Sequence, residues 1–123
     1  MLKIFEENPK LSWFATVIIG IGIFIISSVP SYGTGSGTSH LAVIYHFSAF
    51  FFFGLFLMIS ATKGRRKEFF IPAIILSIIY ACLDELHQYL IPRKYCSFGD
   101  ILTDSAGIFF AFLIYFSIIK LRR

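Results

Sequence analysis

Residues 69–92 read FFIPAIILSIIYACLDELHQYLIP. From Phe69 to Leu83 the stretch holds no Asp, Glu, Lys or Arg, and then Asp84, Glu85, His87 and Gln88 follow within five residues. The uncharged part is 15 residues long. As a helix it rises about 22 Å, short of the roughly 30 Å hydrocarbon core of a bilayer. A membrane helix here must run on to Ile91, where Pro92 stops it. That extension carries four polar side chains into the outer part of the membrane. Membrane helices seldom tolerate such groups without a use for them.

The rest of the chain supports a membrane reading. It has 123 residues, of which 57% are hydrophobic and 15% charged, with sixteen Phe. A soluble domain this small leaves about 40% of its unfolded surface exposed and could not bury so much apolar side chain. Disorder and a disulfide scaffold are excluded by the same figures. Three further runs lack charge: Leu11–Val29, Leu41–Ala61 and Ser105–Ile119. The last is again short, so its helix starts near Asp100 and brings in Asp100 and Asp104. The expectation is an all-α, four-transmembrane-helix bundle with helices at about 11–29, 41–61, 69–91 and 100–120, and no separate soluble domain. Pro30 closes the first helix before a Gly/Ser/Thr loop, and Pro72 sits in the first turn of the third. Ser97 is placed to cap the fourth. The first apolar run is long for a signal peptide and no cleavage pattern follows, so it reads as a retained span.

Lys and Arg set the orientation. Lys3, Lys10, Lys63, Arg65, Arg66, Lys67, Lys120, Arg122 and Arg123 fall on one side, and only Arg93 and Lys94 on the other. Nine against two places both termini in the cytoplasm, in a multi-pass protein of the cell membrane. The net charge of +4 is therefore a topology signal. It favours contact with anionic membrane lipids and excludes a nucleic-acid partner, because the cations hug the membrane boundaries.

On a helical wheel Asp84, Glu85, His87 and Gln88 share an arc of about 160°, with Leu83, Leu86 and Leu90 opposite. In the fourth helix Asp100, Thr103, Asp104, Gly107 and Ala111 share a face, and Leu102, Phe109, Leu113 and Phe116 take the other. His46 in the second helix falls at the same depth, roughly 8–10 Å in. An Asp at a helix centre costs about 2.5–3.5 kcal/mol to insert. Several acids in one layer must therefore be paired, protonated, metal-bound or wet. Each residue also has a plain reading. Asp100 suits a helix cap, and His46 a hydrogen bond to an acid of the fourth helix. His87 and Tyr89 suit the interface, and Arg93 with Lys94 suits charge balance or an anion fork. Cys82 and Cys96 read as free thiols, and Phe50–Phe53 as packing or lipid-facing surface. Asp84, Glu85 and Gln88 together suit a structural polar network.

Asp84-Glu85-x-x-Gln88, then Pro92-Arg93, then Ser97-x-x-Asp100 and Gly107, resemble the signature of the VanZ-like family. Ser27-Ser28-x-Pro30 and His46 match its upstream marks, and Asp104 stands where the family pattern has Asn. The resemblance spans about Ile23 to Ala111. It implies one VanZ-like transmembrane domain over residues 1–123, in a family whose namesake is linked to antibiotic resistance, against teicoplanin.

Three functions fit these residues. The first is an enzyme acting on a lipid, cell-envelope precursor or lipoglycopeptide at the outer leaflet. Asp84, Glu85, Gln88 and His46 are its candidate catalytic residues, and Arg93, Asp100, Asp104 and Ser28 its substrate-binding ones. The second is a non-catalytic protein that binds or shields such a ligand in the same groove and so confers glycopeptide tolerance. The third is a proton-coupled transporter, which the single depth of the acids disfavours. No metal or other cofactor is expected, although His46 and the acids would suit a divalent ion: Asp84 and Glu85 diverge by about 100°, and Arg93 competes for them. Nothing in the sequence supports a homo-oligomer.

Overall fold

The structure, a computed structural model, describes residues 1–30, 40–94 and 97–122. The expected Gly/Ser/Thr loop and Cys96 lie outside the described residues, while Cys82 is exposed and free. Five α-helices form among the described residues: α1 (Leu2–Glu7), α2 (Pro9–Ser27), α3 (His40–Thr62), α4 (Phe70–Tyr89) and α5 (Phe98–Leu121). There is no strand among the described residues. Helices α2 to α5, α4 with its leading 3-10 turn Lys67–Phe69, are long and apolar enough to cross a membrane.

The ends follow from local chemistry. The Asn8 side chain donates to the Ile4 carbonyl at 2.7 Å, and Pro9 then opens α2 at a position where a missing N–H costs nothing. This break separates α1, a short element that the uncharged-run reading did not contain, because its six residues carry Lys3, Glu6 and Glu7. Helix α2 stops at Ser27, two residues before the expected end, and α4 at Tyr89, so Ile91 and Pro92 lie in the turn beyond it. Ser97 caps α5 and its hydroxyl accepts from the Gly99 N–H at 3.1 Å. Helix α5 thus starts two residues early, which sets Asp100 and Asp104 deeper along the helix.

Contacts between the helices define their arrangement. Tyr80 Oη donates to the Gly20 carbonyl at 2.6 Å and the Gln88 amide reaches Ser27 Oγ at 3.5 Å, so α2 and α4 run in the same direction. His46 meets Asp104 and Thr62 meets Tyr115, so α3 and α5 run together, opposite to the first pair. Phe50, Met58, Ile59, Ile108 and Tyr115 fill the centre and are essentially without exposure. Leu83, Leu86, Leu90, Leu102 and Phe109 face outward as expected. Phe116 does not: it is half-buried and packs edge-on against Phe70, with ring centroids 5.7 Å apart. Of the Phe50–Phe53 run, Phe50 and Phe53 are core and Phe52 is exposed.

The closest backbone approach lies between α3 and α5. A Cβ on Gly107 would run into the Phe47 carbonyl and come within 3.1 Å of the Phe51 nitrogen. Only glycine lets the two helices meet there. At the opposite end of the bundle from His46, Glu6 accepts from Tyr115 Oη at 3.0 Å and from Arg122 at 2.7 Å. Gly64, with φ of 68°, turns the α3–α4 connection against the same carboxylate. Buried hydroxyls in the spans are satisfied locally: Thr16 donates to the Ser12 carbonyl, Ser60 to Phe56 and Ser77 to Ala73.

Candidate functional site

At the end of the bundle away from Glu6, four helices bring polar side chains together. His46 comes from the second turn of α3, Asp84, Glu85 and Gln88 from the last turns of α4, Asp104 from the second turn of α5, and Ser27 from the end of α2. All six are buried. The i, i+1 and i+4 spacing of the α4 residues covers one face, and the leucines between them cover the other.

The hydrogen bonds are specific. His46 Nδ1 lies 2.9 Å from Asp104 Oδ1 and 4.0 Å from Glu85 Oε1. Gln88 Nε2 donates to Asp84 Oδ2 at 2.8 Å and, more weakly, to Glu85 Oε1 at 3.4 Å and Ser27 Oγ at 3.5 Å. The Ser97 backbone N–H donates to Glu85 Oε2 at 3.4 Å, which ties the α4–α5 connection to the cluster. One imidazole nitrogen of His46 and one oxygen each of Glu85 and Asp104 lie within 4.8 Å of one another, a spread that a metal ion can draw together. Two buried polar atoms have no hydrogen-bond partner among the described residues: Asp104 Oδ2 and Tyr45 Oη.

The candidate residues divide accordingly. His46, Asp84, Glu85, Gln88 and Asp104 form one cluster, so Asp104 sits with the candidate catalytic group rather than at a separate substrate rim. Asp84 and Glu85, although they diverge along α4, both reach the same Gln88 amide. Asp100 is half-buried in the first turn of α5, and its charge acts on His46, Glu85 and Asp104 from beside the cluster. Ser28 is turned to His87, with Oγ 2.9 Å from Nε2, and donates to the Phe24 carbonyl. His87 also stacks on Phe24 at 4.6 Å, so it fastens α4 to α2. Arg93 is exposed in the turn after α4, at a left-handed φ of 64°. Lys94 donates to the Ile26 carbonyl at 3.1 Å. Partial burial pulls its ammonium below the usual lysine range, against the opposing pull of Asp84 and Glu85.

Three participants were missed by the sequence reading. Ser27 belongs to the Ser-Ser-x-Pro mark, where only Ser28 was given a role. Tyr80 lies one turn before Asp84, and that spacing alone puts it on the same face. Tyr45 adjoins His46, and sequence spacing gave it no distinct signal.

An apolar groove of about 460 Å³ runs between α2 and α4. Trp13, Gly20, Phe53 and Tyr80 line it, and Phe24 and Leu83 close the end beside His87 and Asp84. It opens on the outer surface of the bundle, and Phe24, which stacks on His87, is among its lining residues.

No curated protein and no solved structure matches the chain. The VanZ/LLP1 family profile matches residues 4–120, nearly the whole length and every helix that contributes to the cluster, and the chain belongs to that family.

Proposed function

We propose that this membrane protein takes the polar head of an amphiphile at the His46–Glu85–Asp104 cluster and its apolar chain in the α2–α4 groove. The amphiphile class is a lipid, a lipid-linked envelope precursor or a lipoglycopeptide. One observation carries the reading: the lining of the apolar groove extends to Phe24 and Leu83, within one helical turn along α2 and α4 of Ser27 and Asp84 in the cluster. A polar head and an apolar chain are thus accommodated side by side at one depth. The charge asymmetry supports an outward-facing cluster, with both termini in the cytoplasm of the host cell and Arg93 and Lys94 at the outer rim. Arg93 there suits an anionic head group.

Catalysis and simple binding both use this geometry. For catalysis without a metal the His46–Asp104 pair is the natural general base, since a carboxylate on Nδ1 fixes the imidazole tautomer. Non-catalytic shielding needs only the groove and the acceptors. Transport is less favoured, because Phe50, Met58, Ile59 and Ile108 fill the bundle between the cluster and the Glu6 end.

The test is photo-crosslinking of purified protein in lipid nanodiscs with an amphiphile carrying a diazirine in its acyl chain. Label is expected on groove residues of α2 and α4, and is expected to fall when Asp84→Asn or Glu85→Gln removes charge without changing shape. Label spread evenly over all four spans, or undiminished in both variants, overturns the reading. Head-group turnover in the same preparation separates enzyme from binding protein.

A further inference from the structure

We infer that His46, Glu85 and Asp104 form a binding site for a divalent first-row cation, zinc or manganese. The inference concerns the same cluster as the function proposed above but does not depend on which amphiphile occupies the groove.

The donors come from three helices. An ion about 2.1 Å from each donor holds neighbouring ligands about 3.0 Å apart in octahedral geometry and opposite ones about 4.2 Å apart. His46 Nδ1 is 2.9 Å from Asp104 Oδ1 and 4.0 Å from Glu85 Oε1. Only one pair of the three can lie opposite, so Glu85 must shift by about 1 Å to come within the neighbouring-ligand distance of His46. Asp84 is not needed, so the divergence of Asp84 and Glu85 along α4 is no obstacle. Arg93 is exposed in the turn beyond α4, outside this donor set.

A second, independent observation points to a ligand. Asp104 has 0% exposure, and while its Oδ1 meets His46, its Oδ2 has no partner among the described residues. A carboxylate oxygen buried without a partner is costly and calls for a bound group. Tyr45 Oη is orphaned in the same region, within the electrostatic reach of Asp84 and Asp104.

Charge gives the type of ion. Two ionised carboxylates in a membrane interior are expensive. A divalent cation between Glu85 and Asp104, with His46 neutral, cancels the charge of those two ligands, and Asp84 keeps its hydrogen bond from Gln88. One imidazole among oxygen donors suits zinc or manganese better than calcium or magnesium, which prefer oxygen alone. Three protein ligands leave a coordination position free for water or for an oxygen of a bound head group. Gln88, donating to both Asp84 and Glu85, orients the Glu85 carboxylate.

The experiment uses full-length protein purified in detergent without chelator, then stripped and reloaded with Zn²⁺ or Mn²⁺. Elemental analysis is expected to give about one ion per chain, and reloading to raise the unfolding temperature. Asp104→Asn and Glu85→Gln are expected to lower the ion content at least about fivefold while elution and helical circular dichroism stay unchanged. If the variants do not fold, the wild-type stoichiometry and the manganese resonance spectrum decide on their own. Wild-type protein with less than about a tenth of an ion per chain after both reloadings, or both folded variants keeping the full content, overturns the site. Groove labelling without metal sinks this inference and leaves the amphiphile reading intact, and metal without groove labelling does the reverse.

Discussion

His46 and Asp104 face each other across the α3–α5 seam, Nδ1 to Oδ1 at 2.9 Å, both buried. His46 is nearly and Asp104 wholly shut off from the surface, so each depends on the other. Removing one leaves the other buried and unsatisfied, which costs about 1–3 kcal/mol for a neutral group and more for a charged one. Asp104→Leu and His46→Leu are therefore each expected to lower stability by about that much, and the double variant by clearly less than their sum. Thermal or denaturant unfolding in micelles gives the cycle. Strict additivity within about 0.5 kcal/mol would show that the pair carries no coupling.

Gly107 and Gly22 are both helical glycines, and they should respond oppositely to alanine. At Gly107 the added methyl meets the Phe47 carbonyl and the Phe51 nitrogen, which are backbone and cannot swing away. Gly107→Ala must push α3 from α5 and is expected to cost about 1–3 kcal/mol and to loosen the His46–Asp104 contact. At Gly22 nothing lies within 4 Å of the new Cβ. Gly22→Ala is expected to be neutral or to stabilise α2 by up to about 1 kcal/mol. Unfolding midpoints of the two variants, measured side by side, check the contrast. Equal effects would mean that the α3–α5 seam has room for a methyl group at Gly107.

The orientation is tested by cysteine accessibility in a variant lacking Cys82 and Cys96. Arg65→Cys is expected to stay unlabelled by an impermeant maleimide in intact cells and to react after lysis. Pro92→Cys, exposed in the turn after α4, is expected to react in intact cells. The reverse pattern would put the polar cluster on the cytoplasmic side and remove the argument for an outer-leaflet ligand.

The four spans and the polar layer were legible because their signals are local. Uncharged runs give the spans, and the deficit of length from Phe69 to Leu83 forces Asp84 to Gln88 into the membrane. The shared face of Asp100, Thr103, Asp104, Gly107 and Ala111 was readable from helical spacing alone. What stayed hidden is three-dimensional. Nothing in the sequence says that His46 chooses Asp104 over Asp100, since both lie on one face of the same helix. The partners of Ser28 and His87 come from the register of α2 on α4, which Tyr80 and Gly20 set with a hydrogen bond spanning 60 residues. Helix α1 escaped because a six-residue element with three charges produces no apolar run; its place is fixed by Glu6 reaching Tyr115 and Arg122. The groove between α2 and α4 is likewise a property of two surfaces and belongs to neither helix alone.

Glu6 also sets a clock. Its two hydrogen-bond partners lie 109 and 116 residues further along the chain. At roughly 5–20 residues per second, the carboxylate waits on the order of 5–20 s after its own synthesis before Tyr115 exists to meet it. His46 waits in the same way for Asp104, and Ser27 for Gln88. Each of the early helices must therefore enter the bilayer on its own apolar character, before the polar groups it carries have anything to bind. The last span, α5, completes both ends at once: Asp104 finishes the cluster at its start and Tyr115 and Arg122 lock the first segment at its finish. A chain stalled before α5 would leave both sets of polar groups without the partners that this last segment supplies.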